Sequence, residues 1–122
     1  MKKYITIAFA SLSVLFSTAT FAQKAETVEL TQTEGAFEQT ELTLEAGTYV
    51  FEVSNNGVDH EVGFVIVPKG KTEMSDHIQE AYVQKMIKDG ETSSSKEVTL
   101  AAGEYEYFCP MNPTPYYSLV VK

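Results

Sequence analysis

The chain has 122 residues, a formal net charge of −8, 17 acidic residues and a single cysteine. This length is enough for one domain with one hydrophobic core and too short for two. An acidic chain repels nucleic acid and anionic lipid, and a single cysteine excludes an internal disulfide.

The start of the chain has the features of a secretory signal peptide. Two lysines precede an apolar run over residues 4–16, and small residues follow up to Ala22. The apolar run is too short to span a bilayer. We therefore predict a signal peptide over residues 1–22 and a mature domain over residues 23–122. The domain is expected to be exported, to the periplasm or the extracellular space, without membrane insertion.

From Glu26 onward β-branched and aromatic residues alternate with Glu, Thr and Ser, which is the period of a β-strand. The alternation predicts an antiparallel sheet built from strands over residues 27–33, 39–44, 48–54, 61–67, 96–100, 104–109 and 116–121. This number of short strands is typical of a Greek-key sandwich. Tyr49 and Tyr105 each follow a similar glycine turn, from which a tyrosine hydroxyl can hydrogen-bond back across a corner of the sandwich.

One segment has a helical period instead. Apolar residues recur at spacings of three and four from Met74 to Met86, Ser75 suits an N-cap, and Gly90 follows as a stop. The spacing predicts one helix inserted into the sandwich, with its methionines on the face that packs against the sheets. His77, near the start of this helix, is expected at the surface.

Two reactive side chains fall at the ends of predicted strands. Alternation puts His60 on the inward face together with Val62, and Cys109 on the inward face together with Tyr107. If the two strands are antiparallel neighbours, both side chains reach one edge of the sandwich. Imidazole and thiolate are donors that copper prefers, and the thioether of Met111 would add a soft third donor. The residues alone leave open that His60 and Cys109 are ordinary core residues.

Two segments of the chain resemble the ligand segments of cupredoxins, the family of plastocyanin- and azurin-type blue copper proteins. Residues 55–64, an Asn-rich turn, a histidine and an alternating apolar strand, look like the first segment. Residues 103–110, a glycine turn, alternating aromatics and a cysteine, look like the second. The hairpin over residues 40–54 and the closing strand over residues 116–122 fit as well. The resemblance covers nearly the whole of the predicted mature domain.

This resemblance implies an all-β, Greek-key cupredoxin-like sandwich with the predicted helix as an insertion. It also implies copper as the cofactor, with His60 and Cys109 as metal-site residues, and Met111 is added to this set as the soft third donor. The set is soft and favours Cu(I) over Cu(II), which suits storage or delivery of the metal.

The loop after Cys109 departs from the family pattern. Blue copper members carry a second histidine within a few residues of the cysteine and usually an axial methionine beyond it. Here Asn112, Thr114 and Tyr116 stand in that stretch, and Met111 comes too early to be the usual axial ligand. The chain is therefore predicted to lack a full centre of two histidines and one cysteine.

Two functions follow from these observations. The first is an exported protein that binds copper and carries electrons or hands over the metal, with a redox or copper-delivery protein as its partner. The alternative is a metal-free interaction module of the cell envelope that presents its acidic faces or the edge bounded by Pro110, Pro113 and Pro115. No catalytic triad or carboxylate pair is evident, so we do not predict an enzyme. A monomer without a nucleic-acid partner is expected.

Overall fold

A computed structural model of the protein describes residues 24–122. The predicted signal peptide, residues 1–22, lies outside the described residues. In the part of the chain that is described, no helix is both long enough and apolar enough to cross a membrane.

The described residues form two β-sheets. Their strands are β1 Glu26–Thr33, β2 Ala36–Phe37, β3 Glu41–Leu44, β4 Gly47–Asn55, β5 Val65–Pro68, β6 Thr92–Ser94, β7 Val98–Leu100, β8 Gly103–Phe108 and β9 Tyr117–Val121. One sheet has the order β2-β1-β4-β6, with β7 also paired with β4, and the other has the order β3-β9-β8-β5. The predicted all-β sandwich is confirmed, and the short strands β2 and β6 add to the predicted set.

Most neighbouring strands are antiparallel, as predicted, but two pairs are parallel. Strand β1 runs parallel to β4, and β3 runs parallel to β9. Strands β5 and β8 are antiparallel, with Val65 opposite Phe108. This pairing brings the residues before β5 and the residues after β8 to the same edge of the sheet.

The core between the sheets is aromatic. Along β4 buried and half-buried residues alternate, so Phe51 and Val53 point inward. The Phe64 ring lies 5.5 Å from Phe51 and 6.1 Å from Tyr107, and Phe37 meets Tyr107 edge-on at 5.3 Å. Burial of each such side chain contributes about 1.5–3 kcal/mol.

Burial does not alternate along strand β5, because both faces of the strand are covered. Every residue from 62 to 67 is buried. Val65, Val67 and Phe108 form a small second cluster on the outer face of their sheet. The inserted segment contributes to this cover, since the ring of His77 lies edge-on to Phe108 at 6.0 Å.

The inserted segment is not one helix, as predicted, but two single 3-10 turns, Met74–Asp76 and Gln79–Ala81. Glu73, not Ser75, takes the N-cap position of the first turn. The backbone of the segment bonds to the chain on either side of it, through the pairs Ile78–Ile66, Ile87–Val62 and Gln84–Ser94. These bonds use the amide groups that an α-helix would need for its own ladder, so the apolar period is satisfied by packing without a helix.

Both predicted tyrosine corners are confirmed. The Tyr49 hydroxyl donates to the carbonyl of Glu45 at 2.5 Å, and the Tyr105 hydroxyl donates to the carbonyl of Ala101 at 2.8 Å. Each bond spans four residues and closes the turn that precedes the tyrosine. The repeated sequence therefore has the same structural role at both places.

Candidate metal centre

Cys109 lies directly after β8 and is 1% exposed. Its sulfur accepts two backbone N–H groups, from Gly63 and from Asn112, each at 3.3 Å. Its own N–H donates to the Thr114 hydroxyl at 3.1 Å. The donors come from the residues before β5 and from the loop after β8, so the sulfur joins the two segments at the edge of the sheet.

Two polarised donors aimed at one sulfur suit a thiolate or a metal-bound sulfur. Hydrogen bonds to an ionised acceptor are stronger than those between neutral groups. Backbone N–H groups around a metal ligand also fix its orientation. The surroundings of Cys109 are therefore compatible with its predicted role as a ligand.

His60 does not point inward as predicted, because its side chain is exposed. Its Nδ1 lies 3.0 Å from the carbonyl oxygen of Glu61. The Asn55 side-chain amide donates to the carbonyls of Val58 and His60, each at 3.1 Å, and its oxygen accepts the Val58 N–H. This network folds residues 55–60 into a turn that holds the His60 carbonyl inside, so strand parity does not apply.

Met111 lies close to Gly63, the residue whose N–H bonds to the Cys109 sulfur. A Cβ placed on Gly63 would lie 3.1 Å from the Met111 Cε and 3.3 Å from the Met86 Cε. The Met111 side chain is 44% exposed. The structure therefore brings Cys109 and Met111 together at Gly63, while His60 lies in the adjoining turn.

Asn112 occupies the stretch in which a second histidine was sought, and it is 1% exposed. Its Nδ2 donates to the Gln32 Oε1 at 3.0 Å and to the Thr33 carbonyl at 2.9 Å, and its Oδ1 accepts the Gly35 N–H at 2.7 Å. These bonds tie the loop after β8 to β1 and to the turn that follows it. Asn112 therefore acts as a structural link.

Gln32 was not among the predicted site residues, although its position in the strand carried a signal. Gln32 shares the inward parity of Leu30 on β1 and is 0% exposed, so a polar side chain occupies a core position. Its Nε2 donates to the carbonyl of Gly63 at 2.5 Å, while its Oε1 accepts from Asn112. Gln32 thus fixes both residues whose N–H groups hold the Cys109 sulfur.

Thr114 and Tyr116, the other residues in the stretch after the cysteine, also have structural partners. The Thr114 hydroxyl accepts the Cys109 N–H and donates to the Pro115 carbonyl at 3.0 Å. The Tyr116 ring stacks on Phe108, with 4.5 Å between the ring centroids.

The donors at this edge suit a soft ion. Sulfur from cysteine and methionine selects Cu(I) over harder cations. Across residues 24–122, no three His, Cys, Asp or Glu side chains converge where they could hold a metal. A centre that combines two histidines with the cysteine is therefore not formed by the described residues.

Comparison with known proteins gives a family and a fold. The sequence model described as the cupredoxin-like domain matches residues 5–121. Auracyanin A of Chloroflexus aurantiacus, a "blue" copper protein, is 23% identical, with a TM-score of 0.66 over 81% of this chain and 100% of its own. The auracyanin of Roseiflexus castenholzii is 18% identical, with a TM-score of 0.62 over 80% of this chain and 98% of its own. Amicyanin of Paracoccus versutus is 19% identical, with a TM-score of 0.54 over 81% of this chain and 84% of its own. No curated protein matches the chain.

Proposed function

This chain belongs to the cupredoxin-like domain family, and we propose that it is an exported protein that binds copper and carries electrons or hands over the metal. One observation carries the proposal: the buried sulfur of Cys109 accepts two backbone N–H groups at the glycine that Met111 also contacts. Bound copper would supply one-electron chemistry. The residues of the chain would supply the soft donors and the dry surroundings that favour Cu(I).

Each proposed ligand has a distinct setting. Cys109 is the buried anchor, and its position is fixed by hydrogen bonds from both loops. Met111 is partly exposed and supplies a thioether at the rim. His60 contributes the imidazole from the adjoining turn, and its exposed ring suits a ligand that is exchanged with a partner. That partner is proposed to be a redox or copper-delivery protein, and a noncatalytic role is proposed for the chain.

An anaerobic titration tests the proposal. The purified protein is titrated with Cu(I) in competition with a coloured chelator, and we expect one equivalent to bind at the cysteine, with the ultraviolet absorption of a copper thiolate. This equivalent should be lost in Cys109→Ser and weakened in Met111→Leu, which conserves side-chain volume. Absence of binding by the wild type, or unchanged binding in Cys109→Ser, would contradict the proposal. Urea unfolding of each variant provides the control for folding.

A second candidate is a metal-free interaction module of the cell envelope, which is favoured by the structural role of Asn112. Because its side chain is fully hydrogen-bonded inside the protein, the edge around the cysteine is stable without a metal. Tyr116, 49% exposed, lies on the same loop as the exposed Met111. A specific partner captured from envelope extract in the presence of a copper chelator would favour this candidate. Capture that requires copper would favour the first.

A further inference from the structure

An open pocket of about 280 Å³ lies on the side of Gly63 that faces the inserted segment. Its lining includes Met74, His77 and Met86 from the inserted segment and Met111 from the loop after β8. We call it the methionine pocket. The cysteine is not among its lining residues, so the pocket is separate from the buried sulfur.

The sulfur content of the pocket is high. The sequence has four methionines, and all those within residues 24–122 line this pocket. They come from two parts of the chain, so a single amphipathic face does not account for the cluster. Met74 is 79% exposed and Met111 is 44% exposed, whereas methionines that only fill a core are normally buried.

Gly63 allows two of these thioethers to approach each other. A Cβ at this position would lie 3.1 Å from the Met111 Cε, 3.3 Å from the Met86 Cε and 3.8 Å from the Met86 Sδ. Any residue with a side chain would have to displace one of the two methionines. The absence of a side chain at residue 63 therefore lets both methionines reach the same point.

His77 adds a nitrogen to the sulfurs. Its Nδ1 is hydrogen-bonded to the Tyr82 hydroxyl at 2.8 Å, and its ring lies edge-on to Tyr82 at 5.8 Å and to Phe108 at 6.0 Å. These contacts fix the plane of the imidazole and engage Nδ1. Nε2 is then the nitrogen that remains for a ligand, as in metal-binding histidines whose other nitrogen is hydrogen-bonded.

The chemistry of the lining selects the kind of ion. The remaining lining residues are Gly63, Phe64, Val65, Tyr82, Val83 and Pro110, so the pocket carries no carboxylate and no lysine. Calcium and magnesium need several oxygen ligands and do not fit this lining. Thioether and imidazole donors in apolar surroundings suit a soft monovalent ion such as Cu(I). The chain's net charge of −8 also attracts cations to its surface.

We propose that the methionine pocket is a Cu(I)-binding site, with Met86, Met111 and His77 as ligands and Met74 as an exposed fourth donor. The site goes beyond the proposed function because it needs neither Cys109 nor His60, although it shares Met111 with that centre. If both proposals hold, Gly63 separates an open site from a buried one, and the open site is where Cu(I) enters from a donor protein.

The test uses protein labelled with ¹³C at the methionine methyl groups and titrated with Ag(I), a soft monovalent stand-in for Cu(I) that undergoes no redox change. We expect the methyl signals of Met86 and Met111 to shift in the wild type and in Cys109→Ser. His77→Gln and Met86→Leu should each weaken binding by about tenfold or more, as the loss of an important metal contact does. The matched control is Glu80→Gln, which alters an exposed residue of the same inserted segment outside the pocket lining and should leave the methyl shifts unchanged.

Two results would overturn the site. The methyl signals of Cys109→Ser could stay in place at excess Ag(I), or Glu80→Gln could reduce the shifts as strongly as His77→Gln. Failure of the copper proposal at Cys109 is read separately, from ultraviolet absorption of a metal thiolate, which the methionine pocket does not produce. If Met86→Leu fails to fold, the exposed-segment variant His77→Gln still decides the outcome.

Discussion

Replacement of Asn112 by alanine should destabilise the protein strongly, although the residue lies in a loop. The change removes three side-chain hydrogen bonds, of 3.0, 2.9 and 2.7 Å, from a position that is 1% exposed. Each bond contributes about 1 kcal/mol net, and a buried partner left unpaired costs about 1–3 kcal/mol more. Gln32, at 0% exposure, is one such partner. We expect a loss of about 4–6 kcal/mol, a large share of the roughly 5–15 kcal/mol of a typical domain.

Urea unfolding measures this loss through tyrosine signals, because the chain contains no tryptophan. Asn56→Ala is the matched control. Asn56 is exposed, so its truncation should change the free energy of unfolding by less than about 0.5 kcal/mol. A second readout is the alkylation rate of Cys109, which should rise in Asn112→Ala because the loop over the sulfur opens more often. A difference below about 1 kcal/mol between the two alanine variants would refute the proposed role of Asn112 as a link to β1.

Three further predictions concern other residues of the core and the edge. Burial, with Tyr117 nearby, raises the pKa of Tyr107 above its ordinary value of 10.0, so the folded state holds this proton more tightly than the unfolded state. The stability that this proton contributes is fully present below about pH 10 and is lost as the pH rises toward the pKa of the folded state. Above about pH 10 the free energy of unfolding in urea should therefore fall more steeply for the wild type than for Tyr107→Phe. Parallel pH curves for the two proteins would contradict this. Gly63→Ala should still fold, with a loss of about 1–3 kcal/mol in the free energy of unfolding, because the flexible ends of the neighbouring methionines can move aside. The variant should bind Cu(I) more weakly in the chelator assay. Unchanged affinity would count against both metal proposals. Tyr49→Phe should lower the free energy of unfolding in urea by about 1 kcal/mol, and Tyr105→Phe should lower it by less, because the Tyr105 hydrogen bond is exposed and the Tyr49 bond is partly buried. A larger loss in Tyr105→Phe than in Tyr49→Phe would be inconsistent with the two corner bonds.

Much of the fold could be predicted from local sequence patterns, namely the alternation of apolar residues along strands and the glycine turns between them. Alternation along β8 predicted that Tyr107 and Cys109 face the core, and glycine turns located both tyrosine corners. The same rule failed for His60, because the side chain of Asn55 bonds to backbone carbonyls within its own turn and rotates the histidine outward. Side-chain bonds of this kind override strand parity and leave no mark in the hydrophobic pattern.

Contacts between distant parts of the chain could not be predicted in the same way. The link from Asn112 to Gln32 spans 80 positions and depends on the parallel pairing of β1 and β4, which alternation does not distinguish from antiparallel pairing. The inserted segment had the apolar period of a helix, but its amide groups bond to residues such as Ile66 in β5. In both cases tertiary hydrogen bonds decided the local structure.

The parallel pairing of β3 and β9 has a consequence for the order of assembly. Strand β3 joins its sheet only through β9, with Glu41 opposite Ser118, and the backbone of Lys122 bonds to Leu44 and Ala46. During synthesis β3 therefore has no partner in its sheet until residues 118–121 have been made. Pairings over such long separations form slowly, because the entropy of closing the loop is lost before the contacts form. A chain of this topology therefore completes this sheet late in folding, after the local turns and hairpins have formed.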